Sequence, residues 1–569
     1  MGASDNFLAK LDQTVTDVIG QWDIYTTLIL LACVTLFAYN VLTSRDPDAH
    51  PMLLARQAQA SLVRQSGESA VFRSHSAPHG IPLNSGLNVK DPGDSKWARG
   101  RDGDLRDVWH TARFGRVDRD GKETGEVGKL LTVLGSEKVI EHNHSEITRD
   151  INLIGQHIKQ NGGSRVAIYL PNSVEFLTTL FACAYYDLTA ILVQYNPSQT
   201  IEELASFLKK SNADTVVAAV GSFPFDAMIK KHSALKQLIW VVEEGSKHLD
   251  WNEVPRGTGG PVNVLTWQDV LQELLEVAVT ELPATDRSTE LKKVLAFWPS
   301  GELVEYTQQN LIAGIASQLT SIPTIQRITP ADLFLPVDSL TTIHPLVLTL
   351  AALYSNASVA LNSTAFGSPN LTLATQGIAP TIVVVSPAIL LNTHLETVDK
   401  LNSSLYRAVH WFQTRSMVQQ GVMPLSSIFS RFYDSKRPTI GTMPGKLRLV
   451  YTSAQVGEEK APLSAEVLSD LRIFLGARTI YALTAPKVAG PVTQTSLYDY
   501  RVGDGSEKYS HFGAPVTSVE ILLKDSGKLK TTDTESAGEI VARGPAVVGG
   551  EAALGITGKM NIDHTLGLL

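Results

Sequence analysis

From about residue 129 onward the chain alternates short apolar runs with stretches of helical period. Arg165-Val166-Ala167-Ile168-Tyr169-Leu170 is closed by Pro171-Asn172 and lacks the polar alternation of a strand with one wet face. It is preceded by Thr148–Gln160, where Ile151, Ile154 and Ile158 share a helical face, and followed by an apolar helix over Val174–Tyr186. Ala190–Val193 reads as the next strand, Glu202–Ser211 as helix and Ala213–Ala219 as strand; the pattern recurs at Ala331–Leu335, Pro345–Leu353, Val359–Leu361 and Ile382–Val385. Strands apolar on both faces must be covered twice, and helices between them do the covering. This predicts an α/β protein with a parallel sheet. With 43% hydrophobic and 19% charged residues in 569, a sizeable core is expected.

The N-terminal part differs. Ile24 to Thr43 carries no charge and is bounded by Asp23 and Arg45. At about 1.5 Å per residue its length matches a hydrocarbon layer of roughly 30 Å. Trp22, Tyr25 and Tyr39 suit the interfaces. A cleaved signal peptide fits less well, because the leader is long and holds Asp5, Asp12, Asp17 and Asp23 against Lys10. Arg45, Arg56 and Arg64 on the other flank place the large body in the cytosol. Asn143, Asn356, Asn362, Asn370 and Asn402 stand in Asn-x-Ser/Thr context, so the absence of glycans would agree with that side. The expected organisation is a short lumenal or exoplasmic segment 1–23, a transmembrane helix 24–43, a cytosolic tether 44–128 and an α/β body 129–569; within the tether, 44–74 is polar and basic with a helical patch at Met52–Val63, and 75–128 is rich in Gly, Asp, Pro and Arg and expected to be irregular and partly packed on the body.

Charge and cysteine content exclude other classes. The net charge is −8 and no Lys/Arg-rich run offers to neutralise phosphates, so no nucleic-acid partner is expected. Cys33 and Cys183 alone make no disulfide framework and no Cys/His metal cluster. There is no Gly-x-Ser-x-Gly elbow and no His-Glu-x-x-His pair. His344, before Pro345, reads as a turn or core residue.

Several segments in order resemble the adenylate-forming superfamily of acyl-CoA synthetases, peptide-synthetase adenylation domains and luciferases. They are Arg165–Phe176, Asn196-Pro197 with Ile201–Leu204, Leu353–Val359, Lys446–Ala454, Tyr481–Ala485, Phe512-Gly513-Ala514-Pro515 and Gly538–Pro545. The resemblance spans roughly 129–559 and implies the large N-terminal domain of that family: αβα-layered parallel sheets plus a small β-barrel-like subdomain. N-terminally anchored long-chain acyl-CoA synthetases are the most similar members, which implies an endoplasmic-reticulum membrane and fatty-acid metabolism.

The same resemblance singles out the places where nucleotide chemistry is expected. In the family a Gly-rich loop with a lysine cradles the ATP phosphates; here the matching stretch is Trp298-Pro299-Ser300-Gly301-Glu302-Leu303-Val304, several residues shorter and without the lysine. Ser300-Gly301 is either a remnant of that loop or a plain turn. The family's Tyr-Gly-x-Thr-Glu turn, whose Thr meets phosphate and whose Glu holds Mg²⁺, reads Tyr481-Ala482-Leu483-Thr484-Ala485. A methyl cannot ligate a hard cation. Tyr481 either stacks on a purine or is a core aromatic. The ribose-binding Asp of a Thr-Gly-Asp turn is Lys559 after Thr557-Gly558, and an ammonium cannot accept hydroxyl protons. The family's small C-terminal domain, with its second lysine, has no counterpart in these residues.

The resemblance thus implies nucleotide-binding positions at Ser300, Gly301, Tyr481, Ala482, Leu483 and Thr484, no catalytic residue and no metal ligand. ATP or AMP stays a candidate ligand and Mg²⁺ is disfavoured. Loss of one charge-stabilising donor costs about 2.7–4 kcal/mol of transition-state stabilisation, and such losses do not simply add. The expected function is a membrane-anchored, acyl-CoA-synthetase-like protein without catalysis, binding a lipid-related ligand or nucleotide, or serving as a scaffold for an unidentified protein. The alternatives are an active long-chain fatty acid–CoA ligase with divergent motifs or an incomplete gene model, and a membrane-contact tether in which the fold is only bulk.

Overall fold

Arg165–Tyr169 pairs in parallel on both sides, with Thr189–Leu192 and Thr215–Ala219. Val166 and Ile168 point into one apolar cluster with the helices His144–Gln160 and Val174–Tyr185. Ala167 and Tyr169 point into another with Leu204 and Leu208 of the helix Ile201–Ser211. The period-2 alternation of a strand therefore feeds two helical layers, which is why the run needs no polar residue. The first sheet has seven strands in the order Leu303–Tyr306, Val294–Phe297, Thr189–Leu192, Arg165–Tyr169, Thr215–Ala219, Gln237–Val241 and Asn263–Thr266. All its pairings are parallel except that of the hairpin Val294–Phe297 with Leu303–Tyr306. The structure, a computed structural model, describes residues 20, 23–43, 45–91, 94, 97–117, 122–135, 138–196, 199–242, 262–273, 281–283, 290–424, 431–458, 461–503, 508–533 and 536–569, with side chains except at 36–43 and 366.

A second sheet runs in parallel from Leu130–Leu134 through Ser358–Leu361, Leu333–Pro336, Ile382–Val384 and Leu449–Gln455 to Arg478–Thr484. Antiparallel strands flank it: Lys138–His142 at one edge, Pro491–Gln494 and Ala514–Pro515 at the other. Phe334, Ile382, Leu449 and Ile480 share the apolar cluster of Val166 and Ile168, so both sheets close on one core. The starts of three strands are tied by one carboxylate. Asp332 accepts from Thr329 N–H at 2.9 Å, Thr381 Oγ1 at 2.8 Å, and Arg448 Nε and Nη2 at 2.8 and 2.7 Å. Burial by itself would raise this carboxyl, but the Arg448 and threonine donors outweigh it and hold it below the ordinary carboxylate range.

The third sheet is antiparallel and six-stranded: Ala58–Ala60, Phe72–Ser74, Glu520–Lys524, Ala537–Arg543, Glu551–Met560 and Leu566–Leu568. It takes the place of the small subdomain implied by the resemblance. Its first two strands come from the stretch 44–128 expected to be a tether. Ala58 and Phe72 are buried with Ile521, Leu523 and Ile540, so this stretch is core rather than connector. The helical patch expected over Met52–Val63 is a short helix, Pro51–Ala55, followed by strand. A further helix, Leu105–Phe114, starts at a capping box of Asp104 and Asp107. It buries Leu105, Val108 and Trp109, and the Trp109 indole donates to Thr148 Oγ1 at 3.3 Å and lies 5.1 Å from the Phe181 ring. Glycine and aspartate concealed this in the sequence, because they mark turns whether or not the turn is packed.

Residues 49–569 form one compact unit and 1–48 another. All three sheets and every buried apolar residue described lie within 49–569, so this unit carries its own core. In the smaller unit, Ile24–Thr43 is one continuous helix. Asp23 starts it by accepting from Thr26 N–H at 2.9 Å. Its side chains are exposed from Ile24 to Thr35. Among the described residues no helix is long and apolar enough to cross a membrane, so the fold lends no support to the expected transmembrane span.

Two substitutions test this account. Trp109→Ala should cost about 3–5 kcal/mol in denaturant unfolding, as for a core aromatic; a tether would lose almost nothing. Asp332→Ala should cost about 2–3 kcal/mol, somewhat less than a fully buried pair because the Arg448 side chain keeps 27% exposure. Its effect should fade in acid, since a carboxylate held below its ordinary range gives up its stabilisation as pH falls through the folded-state value.

Candidate functional site at the carboxyl ends of the strands

In open α/β sheets the crevice beyond the carboxyl ends of the parallel strands is where ligands sit. Here a cavity of about 420 Å³ opens at that place. Gln194 and Phe297–Pro299 reach it from the first sheet; Asp338, Ser339, Ser386 and Gln455 reach it from the second. Its volume lies in the range for small-molecule pockets. Thr341, Thr342 and Ile343 bring the start of the helix Ile343–Tyr354 to its wall.

One buried side chain couples the two sheets at this wall. Asn172, just past the strand Arg165–Tyr169, donates to the carbonyls of Pro336 and Asp338 at 3.0 and 2.8 Å, and its Oδ1 accepts from Leu340 N–H at 2.9 Å. This fixes the loop that presents Asp338. Val384 O accepts from the N–H groups of Val337 and Asp338, at 2.8 and 3.1 Å. The Asp338 carboxylate accepts from Ser339 N–H at 2.8 Å. Withdrawal from water, with a smaller push from Glu458, still drives its pKa up to about 6. Asp338 and Glu458 are the charged residues that line the cavity; no Lys or Arg lines it among the described residues.

The residues singled out from the sequence lie beside this cavity rather than in its wall. Ser300 and Gly301 form the tip of the hairpin joining Val294–Phe297 to Leu303–Tyr306. Gly301 N–H donates to Trp298 O at 2.8 Å and Trp298 N–H to Glu302 O at 2.9 Å. Gly301 sits at φ +77°, the left-handed position that closes a three-residue hairpin loop. Two N–H groups of the loop are thus spent inside the turn. The stretch is a hairpin turn, and a strand, Leu303–Tyr306, stands between it and the helix Gln308–Thr320.

Tyr481, Ala482, Leu483 and Thr484 form no turn; they are the second half of the strand Arg478–Thr484 and all are buried. Tyr481 Oη accepts from Leu463 N–H at 2.9 Å, and its ring lies 4.8 Å from Phe512. Of the two alternatives for this ring, the core aromatic is the one realised. Thr484 Oγ1 donates to Ala454 O at 3.1 Å. Thr484 stands opposite Gln455 in the parallel register, so the strand ends one step from the cavity. Thr557, Gly558 and Lys559 also form no turn: they lie inside the strand Glu551–Met560, with Gly558 opposite Gly538 and Leu568. His344 is a core residue at 2% exposure, where burial pushes its imidazole down to about 3 and keeps it neutral.

The sequence reading missed Asp338, Ser339, Ser386, Gln455 and Glu458. Their common signal is position: Gln455 ends a strand of the second sheet, and each of the others follows one by a few residues. The carboxyl end of each predicted strand was the place to look.

Comparison with known proteins agrees with this geometry. Residues 132–279 match the AMP-binding enzyme family model, which covers most of the first sheet. The uncharacterized protein YHR045W of Saccharomyces cerevisiae is 21% identical over 548 residues, covering 90% of this chain and 88% of its own. Among solved structures, the long-chain-fatty-acid-CoA ligase FadD1 of Archaeoglobus fulgidus aligns with TM-score 0.56 at 14% identity, over 86% of both chains. The anthranilate CoA ligase AuaEII in complex with anthranoyl-AMP aligns with TM-score 0.57 at 12% identity, over 82% of this chain and 77% of its own. The N-terminal domain of FACL13 from Mycobacterium tuberculosis aligns over its whole length and 82% of this chain, with TM-score 0.56 at 13% identity. The chain therefore has the α/β fold of the adenylate-forming CoA ligases.

The raised Asp338 carboxyl gives a test of the site's electrostatics. The folded state binds this proton more tightly than the unfolded chain, so stability should fall as pH rises from the ordinary value of 3.8 to about 6. Asp338→Asn should flatten that slope and leave the protein more stable at neutral pH, as read by thermal unfolding across the pH range.

Proposed function

We propose that this chain is a membrane-anchored protein on the adenylate-forming fold that does not carry out ligation. It keeps the cavity as a binding site for a small acyl- or aryl-type molecule, in lipid-related binding or as a scaffold. The observation that carries this reading is the charge of the cavity. ATP brings several negative charges, and a site that activates a carboxylate with it aims cations and free N–H donors at the phosphates. Here the lining charges are Asp338 and Glu458, and the nearby hairpin has turned its Gly301 and Trp298 N–H groups inward. The Ala485 side chain, fully buried, carries no oxygen for a metal ion.

Anchoring through Ile24–Thr43 is supported by the absence of charge over the helix and by its exposed apolar side chains, Ile24 at 71% and Ile29 at 64%. The basic residues Arg45, Arg56 and Arg64 on its C-terminal side favour a cytosolic body, with the endoplasmic reticulum as the membrane.

The experiment is pyrophosphate release from Mg-ATP with a panel of fatty and aromatic acids, run beside an active ligase. The expected result is no release above the protein-free rate. Titration calorimetry should then show binding of an uncharged acyl or aryl derivative, with AMP and Mg-ATP silent. Pyrophosphate release at a rate like that of the active ligase overturns the reading.

A further inference from the structure

The helix Ser404–Gln420 has only one fully buried residue, Met417. It is held to the body from one side. His410 Nε2 lies 2.8 Å from Asp470 Oδ1, and His394 Nε2 on the preceding helix lies 3.0 Å from the other oxygen of the same carboxylate. His410 Nδ1 lies 2.7 Å from Tyr433 Oη. Opposite His410 in the helical period stand Leu405, Ala408 and Phe412, at i, i+3 and i+7. Leu405 is 58% exposed, Phe412 65% and the adjacent Trp411 51%. Ordinary surface helices turn such residues inward.

Arginine outnumbers acid along this segment. Between residues 401 and 433 the sequence contains Arg407, Arg415 and Arg431 and no Asp or Glu, in a chain whose net charge is −8. The Arg415 guanidinium lies 5.1 Å from the centre of the Trp411 ring, so cation and aromatic share one edge of the face. Lys436 sits similarly over Tyr406, at 5.4 Å. Of the acids nearby, Glu396 accepts from Asn370, Asp434 pairs with Arg437 and Asp470 meets the two histidines, while Asp399 is exposed beside Lys400 at the end of the preceding helix.

We infer that this face is a docking surface for an anionic lipid bilayer. Exposed Trp, Phe and Leu flanked by arginines match a helix that lies in the headgroup plane, the rings entering the acyl boundary and the arginines meeting lipid phosphates and carboxylates. A second copy of the chain fits less well. A two-fold contact would bring two copies of the same arginine-bearing face together, with no acid of that face to pair with them. The surface lies on the unit 49–569, and it is independent of whether Ile24–Thr43 spans a membrane.

The test uses that unit, which carries its own core, so the N-terminal helix cannot bind in its place. It is sedimented with phosphatidylcholine vesicles, with and without phosphatidylserine. The expected result is binding to the mixed vesicles only, weakening as salt is raised. Leu405→Ala with Phe412→Ala should lower the partition coefficient about tenfold or more. Arg415→Glu should lower it by about tenfold or more as well. Ile562→Ala, fully exposed on another part of the unit, should change nothing. These are surface positions, and unchanged thermal unfolding checks that each variant is folded. Equal binding to both vesicle types, no binding to either, or unchanged binding by the double variant overturns the inference. So does self-association in sedimentation velocity, or capture by a polyglutamate surface without vesicle binding, if it disappears with Phe412→Ala.

Discussion

The second sheet depends on how the starts of its strands are held. Asp332 gathers the Thr329 turn, Thr381 just before one strand and Arg448 just before the next. A carboxylate taken from water at this place is tolerable only because it is fully paired. With the three strands fixed level at their amino ends, parallel geometry carries the register along them. Asp338, Ser386 and Gln455 then emerge on one rim. Asn172 performs the complementary task at that rim, fastening the loop of one sheet to the end of the other. The cavity is a consequence of these two ties.

What the cavity binds is governed by electrostatics more than by shape. The fold places a crevice beyond the carboxyl ends of the parallel strands. The chain lines it with Asp338 and Glu458 and closes the neighbouring hairpin on itself. Asp338 illustrates the consequence: in a setting with cations to spare its carboxyl would titrate low, and here lost hydration holds it near 6. A polyanion entering this space would meet like charge, and an uncharged body with a small polar head would not.

Much of the α/β body was legible in the sequence. Runs such as Arg165–Tyr169 have no polar alternation, and only strands covered on both faces can be built that way. The segments 49–128 were misread because their turns are rich in Gly, Asp and Pro, which describe local backbone and say nothing of burial. Phe72 and Trp109 were the missed signals, each an aromatic among polar neighbours. At the site the reading was local where the geometry is global. Ser300-Gly301 and Tyr481–Thr484 are contiguous motifs, and the structure resolves them into a hairpin tip and a buried half-strand. The residues that do line the cavity come from four or more distant segments, with no shared motif to mark them.

The sequence by itself determined the alternation of strand and helix, the parallel core, the absence of a carboxylate at Ala485 and the shortness of the loop at Ser300-Gly301. The first two are properties of composition and spacing, which local chemistry reads directly; the last two are what the resemblance to the adenylate-forming superfamily implies. Only the tertiary structure decided that Tyr481 is locked against Phe512 and Leu463, that Asp338 and Glu458 share a wall, and that Leu405 and Phe412 face water. Each of these depends on which segments meet. Burial, solvation and charge pairing are set by neighbours from far along the chain, and no window of sequence contains them.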